Sequence, residues 1–462
     1  MSESDSGTPL AKSFADWICE TDEVPADVRA AAKLAILDAL GVAIAARRVT
    51  DDRLLSVVTD GFVEVPPTES TVIGRPWRTS PARSAFVNAF LAHVLDFDDS
   101  SGDLAGHPTA VVLPAALAVA QRHGATGADL LRAHCLGFEV ACAIGRRLNP
   151  GHYDSGWHPT ATLGAFGAAA AAARLTHGDD RDAVARTIGL TTAFAAGLKS
   201  SFGTLAKSLQ VGRACEAGVL AAQLTGAGAT SNLAAFEHRQ GFVRVFDRIE
   251  ANNIDAVLPG RWSLTHPGVI IKQYPCCGST HSAIEAAYEH GVVDAATVEE
   301  VVIELHPRRR VHVDRPWPDG GLAAKFSVQY TVARMLLSGA VALDDFEDAR
   351  VQEPRLRTLL GKIRVADLEG ATDERFEERY GAAVTVRTTE GSRRTFVPVS
   401  LGRRPGEMLP ADRIIAKFER CTDGILTPDG SAALIEAVLD LENLESAGDL
   451  FAICAAAVSA HA

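Results

Sequence analysis

Apolar residues recur at helical spacing through most of the stretch from Asp27 to Leu224. Asp27–Ala46 carries this pattern first. Ser80-Pro81 is a helix start signal, with a serine to cap and a proline suited to the first helical position. The helix it opens runs through Phe86, Phe90 and Leu91 towards Asp96. Further helices are predicted over Val111–Arg122, Ala128–Arg147, Thr160–Thr176, Asp182–Gly197 and Lys207–Leu224. The character changes near His266-Pro267. Val298–Leu305 alternates and is rich in valine and isoleucine, which predicts a strand. Lys325–Leu337 predicts a helix. Ala383–Thr388 and Arg394–Val399, joined through Glu390-Gly391-Ser392, predict a hairpin. Helical patterning returns at Asp412–Arg420 and Gly430–Leu441.

This order predicts a mainly α protein. A large all-helical domain is formed by both chain ends, residues 1–266 and 401–462. A smaller α+β domain, residues 267–400, is inserted into it. No internal repeat points to a solenoid.

Composition narrows the function classes. The 462 residues exceed one ordinary core. Hydrophobic residues at 47 % and charged residues at 22 % suit a globular protein, and the abundance of alanine lets helices approach closely. A net charge of −13 is a poor match for nucleic acid or an anionic membrane surface. An anionic substrate must then be held by locally placed Lys, Arg or His. The apolar run Ala161–Ala173 is well short of the roughly 20 residues that span a bilayer. Eight cysteines form no regular framework, and nothing at the N-terminus resembles a signal peptide, so a cytoplasmic location is expected.

Five segments could carry chemistry. His93-Val-Leu-Asp96-Phe-Asp98-Asp99-Ser100 ends a helix in carboxylates, where the macrodipole disfavours them unless they meet cations or orient neighbours. Gly106-His107-Pro108 follows it. Gly156-Trp157-His158-Pro159 places a histidine at a helix start, where N–H groups favour anions. Lys207 lies near the start of an alanine-rich helix, as many solvated lysines do. Lys272-Gln-Tyr-Pro-Cys276-Cys277-Gly-Ser-Thr-His281 falls at the domain junction. Its cysteines and histidine invite a zinc reading, but the spaced second pair of a structural zinc site is missing. Lys325-Phe-Ser-Val-Gln-Tyr330 brings a phenol that can donate to an anion.

Six stretches, AHVLDFDDS, HPTAVVLPAALA, GWHPTATLGAFGAAAAAARL, KSLQVGRACEAG, KQYPCCGSTHSAIEA and AKFSVQYTVARMLL, together resemble the MmgE/PrpD family in content and order. That family includes 2-methylcitrate dehydratase, cis-aconitate decarboxylase and iminodisuccinate epimerase. The resemblance implies a helical domain with a lid domain, a site between them, a homodimer, and no metal or organic cofactor. It places catalytic roles on Asp96, His107, His158, Lys207 and Lys272, and substrate-binding roles on Ser100 and Tyr330. The Tyr-Pro-Cys-Cys-Gly stretch is closer to the epimerase-type members than to the dehydratase.

The expected activity is a lyase reaction on a small di- or tricarboxylic acid by proton transfer next to a carboxylate, with epimerisation of an iminodisuccinate-like dicarboxylate as the alternative. Lysines would hold the charge that develops on the carboxylate, and histidines would move the proton. Two rivals are weaker. The Asp-rich stretches at Asp98-Asp99 and Asp344-Asp345-Phe-Glu-Asp348 only loosely match the magnesium-binding motifs of isoprenoid synthases. A non-catalytic scaffold would need neither the two lysines nor the two His-Pro sites.

Overall fold

The computed structural model describes residues 8–59, 70–247, 261–371 and 379–457. Among them the chain is mainly α. Helix α1 (Leu10–Glu20) precedes the predicted helices, which form with shifted ends: α2 (Ala26–Ala45), α3 (Pro81–Val94), α4 (Pro108–His123), α5 (Gly127–Leu148), α6 (Gly164–His177), α7 (Arg181–Thr191) and α8 (Leu205–Gly226). Three differences from the sequence reading have local causes. The stretch predicted as one helix from Thr160 is two, because the Thr162 amide and hydroxyl both bond the His158 carbonyl and close a separate turn over Pro159–Thr162. Helix α7 stops at Thr191 rather than Gly197. The hydroxyls of Thr187, Thr191 and Thr192 bond back to carbonyls there, a competition that weakens helical continuation. The second hairpin strand starts at Gly391, three residues early.

The helical body packs around α3, α4, α5, α6 and α8. Small residues make this possible. A Cβ on Gly137 of α5 would stand 2.5 Å from the Gly167 carbonyl oxygen of α6, and the reverse contact is as tight. Only backbone against backbone fits there.

The second unit holds a four-stranded sheet. Strands β1 (Val298–Leu305), β2 (Ile363–Asp367), β3 (Ala382–Thr388) and β4 (Gly391–Val397) lie in the order β2-β1-β3-β4, with β1 and β2 parallel and the other pairs antiparallel. Helix α9 (His281–His290) packs on β3 and β4, and α10 (Val328–Ser338) packs on α9. Helices α11 (Ala411–Thr422) and α12 (Pro428–Leu439) then return to lie on α2.

Buried apolar residues form two clusters. One joins residues between Leu10 and Ile271 to residues between Leu409 and Ala457. The other gathers residues between Cys276 and Val397. The returning helix does more than cover α2. Buried Lys417 pairs with buried Asp38 at 2.6 Å and donates to the Phe97 carbonyl at 2.7 Å. Burial raises the Asp38 carboxyl to about 6, against the pull of Lys417. Helix α11 therefore braces the acidic turn after α3.

Candidate active site

Helix α3 ends at Val94, and the chain turns through Asp96 with φ 52°. That left-handed conformation aims the Asp96 carboxylate at two lysines from distant segments. Lys207, in the first turn of α8, bonds Asp96 Oδ1. Lys272 lies 3.2 Å from Asp96 Oδ2 and donates to the Asp96 carbonyl at 2.8 Å. All three side chains are buried. Burial pushes the Asp96 carboxyl up, but Lys207 and Lys272 outweigh it and hold it well below the usual range. Burial likewise lowers the Lys272 ammonium, and Asp96 and Asp98 reverse this, so it stays charged. Two cations share one carboxylate.

Lys325, in the same sequence stretch as Tyr330, was not singled out from the sequence. It is buried, donates to the Pro275 carbonyl at 2.7 Å and feels both Asp96 and the other lysines. Burial lowers its amine to about 8. That value lets Lys325 change charge near neutral pH.

Three imidazoles stand beside the lysines. The His107 ring is 4.7 Å from that of His93, and the His93 ring is 6.0 Å from that of His158. His107 Nδ1 lies 2.6 Å from the Asp99 carbonyl oxygen, which can only accept. His93 Nδ1 lies 2.7 Å from Asp98 Oδ2, and His107 Nδ1 3.3 Å from the same oxygen. His158 Nδ1 lies 3.0 Å from Gln210 Oε1. The Gln210 orientation is set by Leu198, whose N–H donates to Oε1 and whose carbonyl accepts from Nε2. Each ring therefore carries its proton on Nδ1 and keeps Nε2 as a base. The Nε2 atoms of His93 and His158 are buried without a partner among the described residues. Burial lowers all three well below the ordinary value. Lys207 and Lys272 add to this at His93 and His107, and Lys207 adds to it at His158. They are neutral bases at pH 7.

Of the predicted residues, the structure brings Asp96, His107, His158, Lys207 and Lys272 together. Ser100 contributes backbone: its amide and carbonyl bridge Ile270 at 2.8 Å each, which ties the acidic turn to the strand-like approach of Lys272. Among the described residues its hydroxyl makes no hydrogen bond. Tyr330 is not gathered with the cluster. It sits fully buried in the sheet-bearing unit, where its hydroxyl donates to the Asp345 carbonyl and accepts from Arg334. His93, Asp98, Asp99, Gln210 and Lys325 were missed. The first three lie in the quoted Asp-rich stretch and show no signal that separates orienting groups from reacting ones.

Among the described residues, His93, Asp98 and His107 have ligand atoms within 4.8 Å of one another. Two imidazoles and a carboxylate suit a divalent ion in donor type. These same atoms are hydrogen-bonded to each other and to Asp99, and Lys207 and Lys272 place positive charge on them. The zinc reading of Cys276, Cys277 and His281 has another outcome: Cys276 pairs with Thr280, and His281 Nε2 faces the Cys276 carbonyl at 3.4 Å.

The arrangement can bind an anion at shared ammonium groups and take a proton with a neutral imidazole, out of water. Comparison with known proteins agrees in kind. The MmgE/PrpD N-terminal domain model matches residues 12–254, and the MmgE/PrpD C-terminal domain model matches residues 274–443. Cis-aconitate decarboxylase of Homo sapiens is 29 % identical over 398 residues, 81 % of this chain and 80 % of that protein. Cis-aconitate decarboxylase of Aspergillus terreus is 27 % identical over 452 residues, 92 % and 91 % of the two chains. 2-Methylcitrate dehydratase of Salmonella typhimurium is 30 % identical over 160 residues, 32 % of this chain and 33 % of that protein. With both family domains matched in order along most of its length, the chain belongs to the MmgE/PrpD family.

Proposed function

We propose that the protein is a lyase acting on a small di- or tricarboxylic acid by proton transfer next to a carboxylate, without a cofactor. The observation that carries this reading is the pair of buried lysines sharing Asp96 beside three neutral imidazoles. The names of the relatives, a decarboxylase and a dehydratase, support the class.

A C–H bond next to a carboxylate is a weak acid, and its proton leaves only if the charge that moves onto the carboxylate oxygens is held. Lys207 and Lys272 do this best in a dry site. His158 takes or returns the proton at Nε2, with Gln210 fixing the ring. His107 serves the opposite end of the same step, and the His93–Asp98 pair supports it. Loss of a β-hydroxyl from the resulting anion is dehydration, and loss of a carboxylate followed by protonation is decarboxylation.

The sheet-bearing unit acts as the lid in this reading. It supplies Lys325 and closes on the helical body through Arg308, which forks onto Asp154 at 2.7 Å to each oxygen, and through His312 against Tyr153. The test is product analysis by chromatography with cis-aconitate, citrate and 2-methylcitrate supplied to the full-length protein. Formation of an unsaturated acid is expected. Inversion of a stereocentre without net loss would move the assignment to epimerisation, and no change in any di- or tricarboxylate would overturn it.

A further inference from the structure

A second cationic site lies at the far end of the segment that carries Lys272. Arg403, on the loop after β4, is 8 % exposed and donates to the Gly278 carbonyl at 3.2 Å. The approach depends on Gly278: a Cβ there would stand 2.3 Å from Arg403 Nη2. Arg309, from the short helix Pro307–Val313, also lies over the Tyr380 ring. The two guanidinium carbons are 4.1 Å (Arg309) and 5.0 Å (Arg403) from the Tyr380 ring centre. Among the described residues, Arg309 Nε is buried without a hydrogen-bond partner.

No carboxylate among the described residues forms an ion pair with either arginine. Glu285 is close enough for Arg403 to act on it, yet its oxygens accept from the Leu401 amide and from Gln273, and burial raises its carboxyl to about 7. Burial lowers the Arg403 guanidinium, and Arg309 adds to that, with Tyr380 opposing. Burial would raise the Tyr380 phenol, but Arg309 and Arg403 outweigh it and lower it. A buried guanidinium such as that of Arg403, with no ion-paired carboxylate among the described residues, is costly, and a ligand anion would complete the balance.

One segment of chain links the site to the lysine cluster. Five residues lie between Lys272 and Gly278, and they do not run straight. The Cys276 amide turns back to the Tyr274 carbonyl, and the Cys277 amide bonds the Lys325 carbonyl at 2.9 Å. The half-buried Cys277 thiol lies within electrostatic reach of Lys272 on one side and Arg403 on the other.

We propose that Arg309, Arg403 and Tyr380 form a second carboxylate subsite, which holds a carboxylate of the substrate remote from the carbon that loses its proton. This rests on the polycarboxylate reading above and goes further, because it makes the number of carboxylates a recognised feature. Guanidinium groups suit the role, since their planar fork matches a carboxylate with two parallel hydrogen bonds.

The test is isothermal titration of the full-length protein with two unreactive acids that share a carbon chain, propane-1,2,3-tricarboxylate and glutarate. The wild type is expected to bind the tricarboxylate about tenfold or more tighter, the return from one charge-assisted contact. Arg403→Met is expected to bring the ratio to within about twofold, as one such contact is lost. Arg309→Gln, at a half-buried position, should reduce the ratio in the same direction and decides the matter if Arg403→Met does not fold. A wild type that binds both acids equally, or variants that keep the full ratio, would overturn the subsite while leaving the lyase reading intact. Binding of neither acid by the wild type would overturn both.

Discussion

Asp96→Asn isolates the charge that the two lysines share. Asparagine keeps the shape and tolerates the left-handed backbone at φ 52°, so the backbone adds little of its own. Alanine would mix strain with charge loss. Removing one partner of a buried ion pair typically costs about 3–5 kcal/mol. Here the loss leaves two ammonium groups, 4 % and 2 % exposed, without their carboxylate. The pH window in which stability changes moves from the acid side to the alkaline side. In the wild type the Asp96 carboxyl is held well below its usual range by Lys207 and Lys272 against burial, so its stabilisation is present at neutral pH and lost only as pH falls towards the folded-state value. In the variant the buried lysines drop below the unfolded value of about 10.4, and the folded state gains stability as pH rises towards that value. Urea denaturation followed by circular dichroism at several points between pH 6 and pH 9 reads both effects. The expected result is a variant destabilised by about 3–5 kcal/mol at pH 6 that closes on the wild type by pH 9, with turnover down about 100-fold or more. A variant within about 1 kcal/mol of wild type at every pH would refute the shared-charge account.

Lys272→Ala and His158→Ala are each expected to remove most turnover while the far-ultraviolet spectrum stays native; near-normal turnover by either would remove that residue from the mechanism. Glu139, whose Oε1 accepts the Leu264 amide, is raised by burial from 4.5 to about 7, so the folded state holds a proton that the unfolded state releases between those values. Stability should therefore fall as pH rises through that window by about 3 kcal/mol at most, and Glu139→Gln should flatten the fall in denaturation curves. Gly137→Ala should lower stability by about 1–3 kcal/mol through forced separation of α5 and α6, and an unchanged melting temperature would contradict the close-packing argument.

Much of the helical body was legible because its elements are long and their apolar spacing is local information. Asp96, Lys207 and Lys272 were legible as members of ordered motifs. Their joint clasp was not, because 111 and 176 residues separate Asp96 from its two partners. His93 reads as an ordinary helix-end residue, and only the fold shows it between His107 and His158. Gln210 was quoted as part of a motif, yet its work depends on Leu198 holding its amide. Tyr330 shows the opposite failure: a phenol in a motif need not face the ligand, and this one is occupied by Asp345 and Arg334. Arg309 and Arg403 carry no local mark in sequence, since surface arginines look the same. Strand β2 is five residues long, too short for a period to stand out. No helix among the described residues is long and apolar enough to cross a membrane.

In the proposed reaction a neutral imidazole moves a proton next to a carboxylate held by buried lysines. Nuclear magnetic resonance in deuterated water tests it most directly, with the full-length protein and a panel of di- and tricarboxylic acids. Deuterium should enter a carbon next to a carboxylate in at least one acid, and its entry should be lost in His158→Ala and in Lys272→Ala. Absence of exchange from every acid in the panel, or exchange that persists in both variants, would contradict the account.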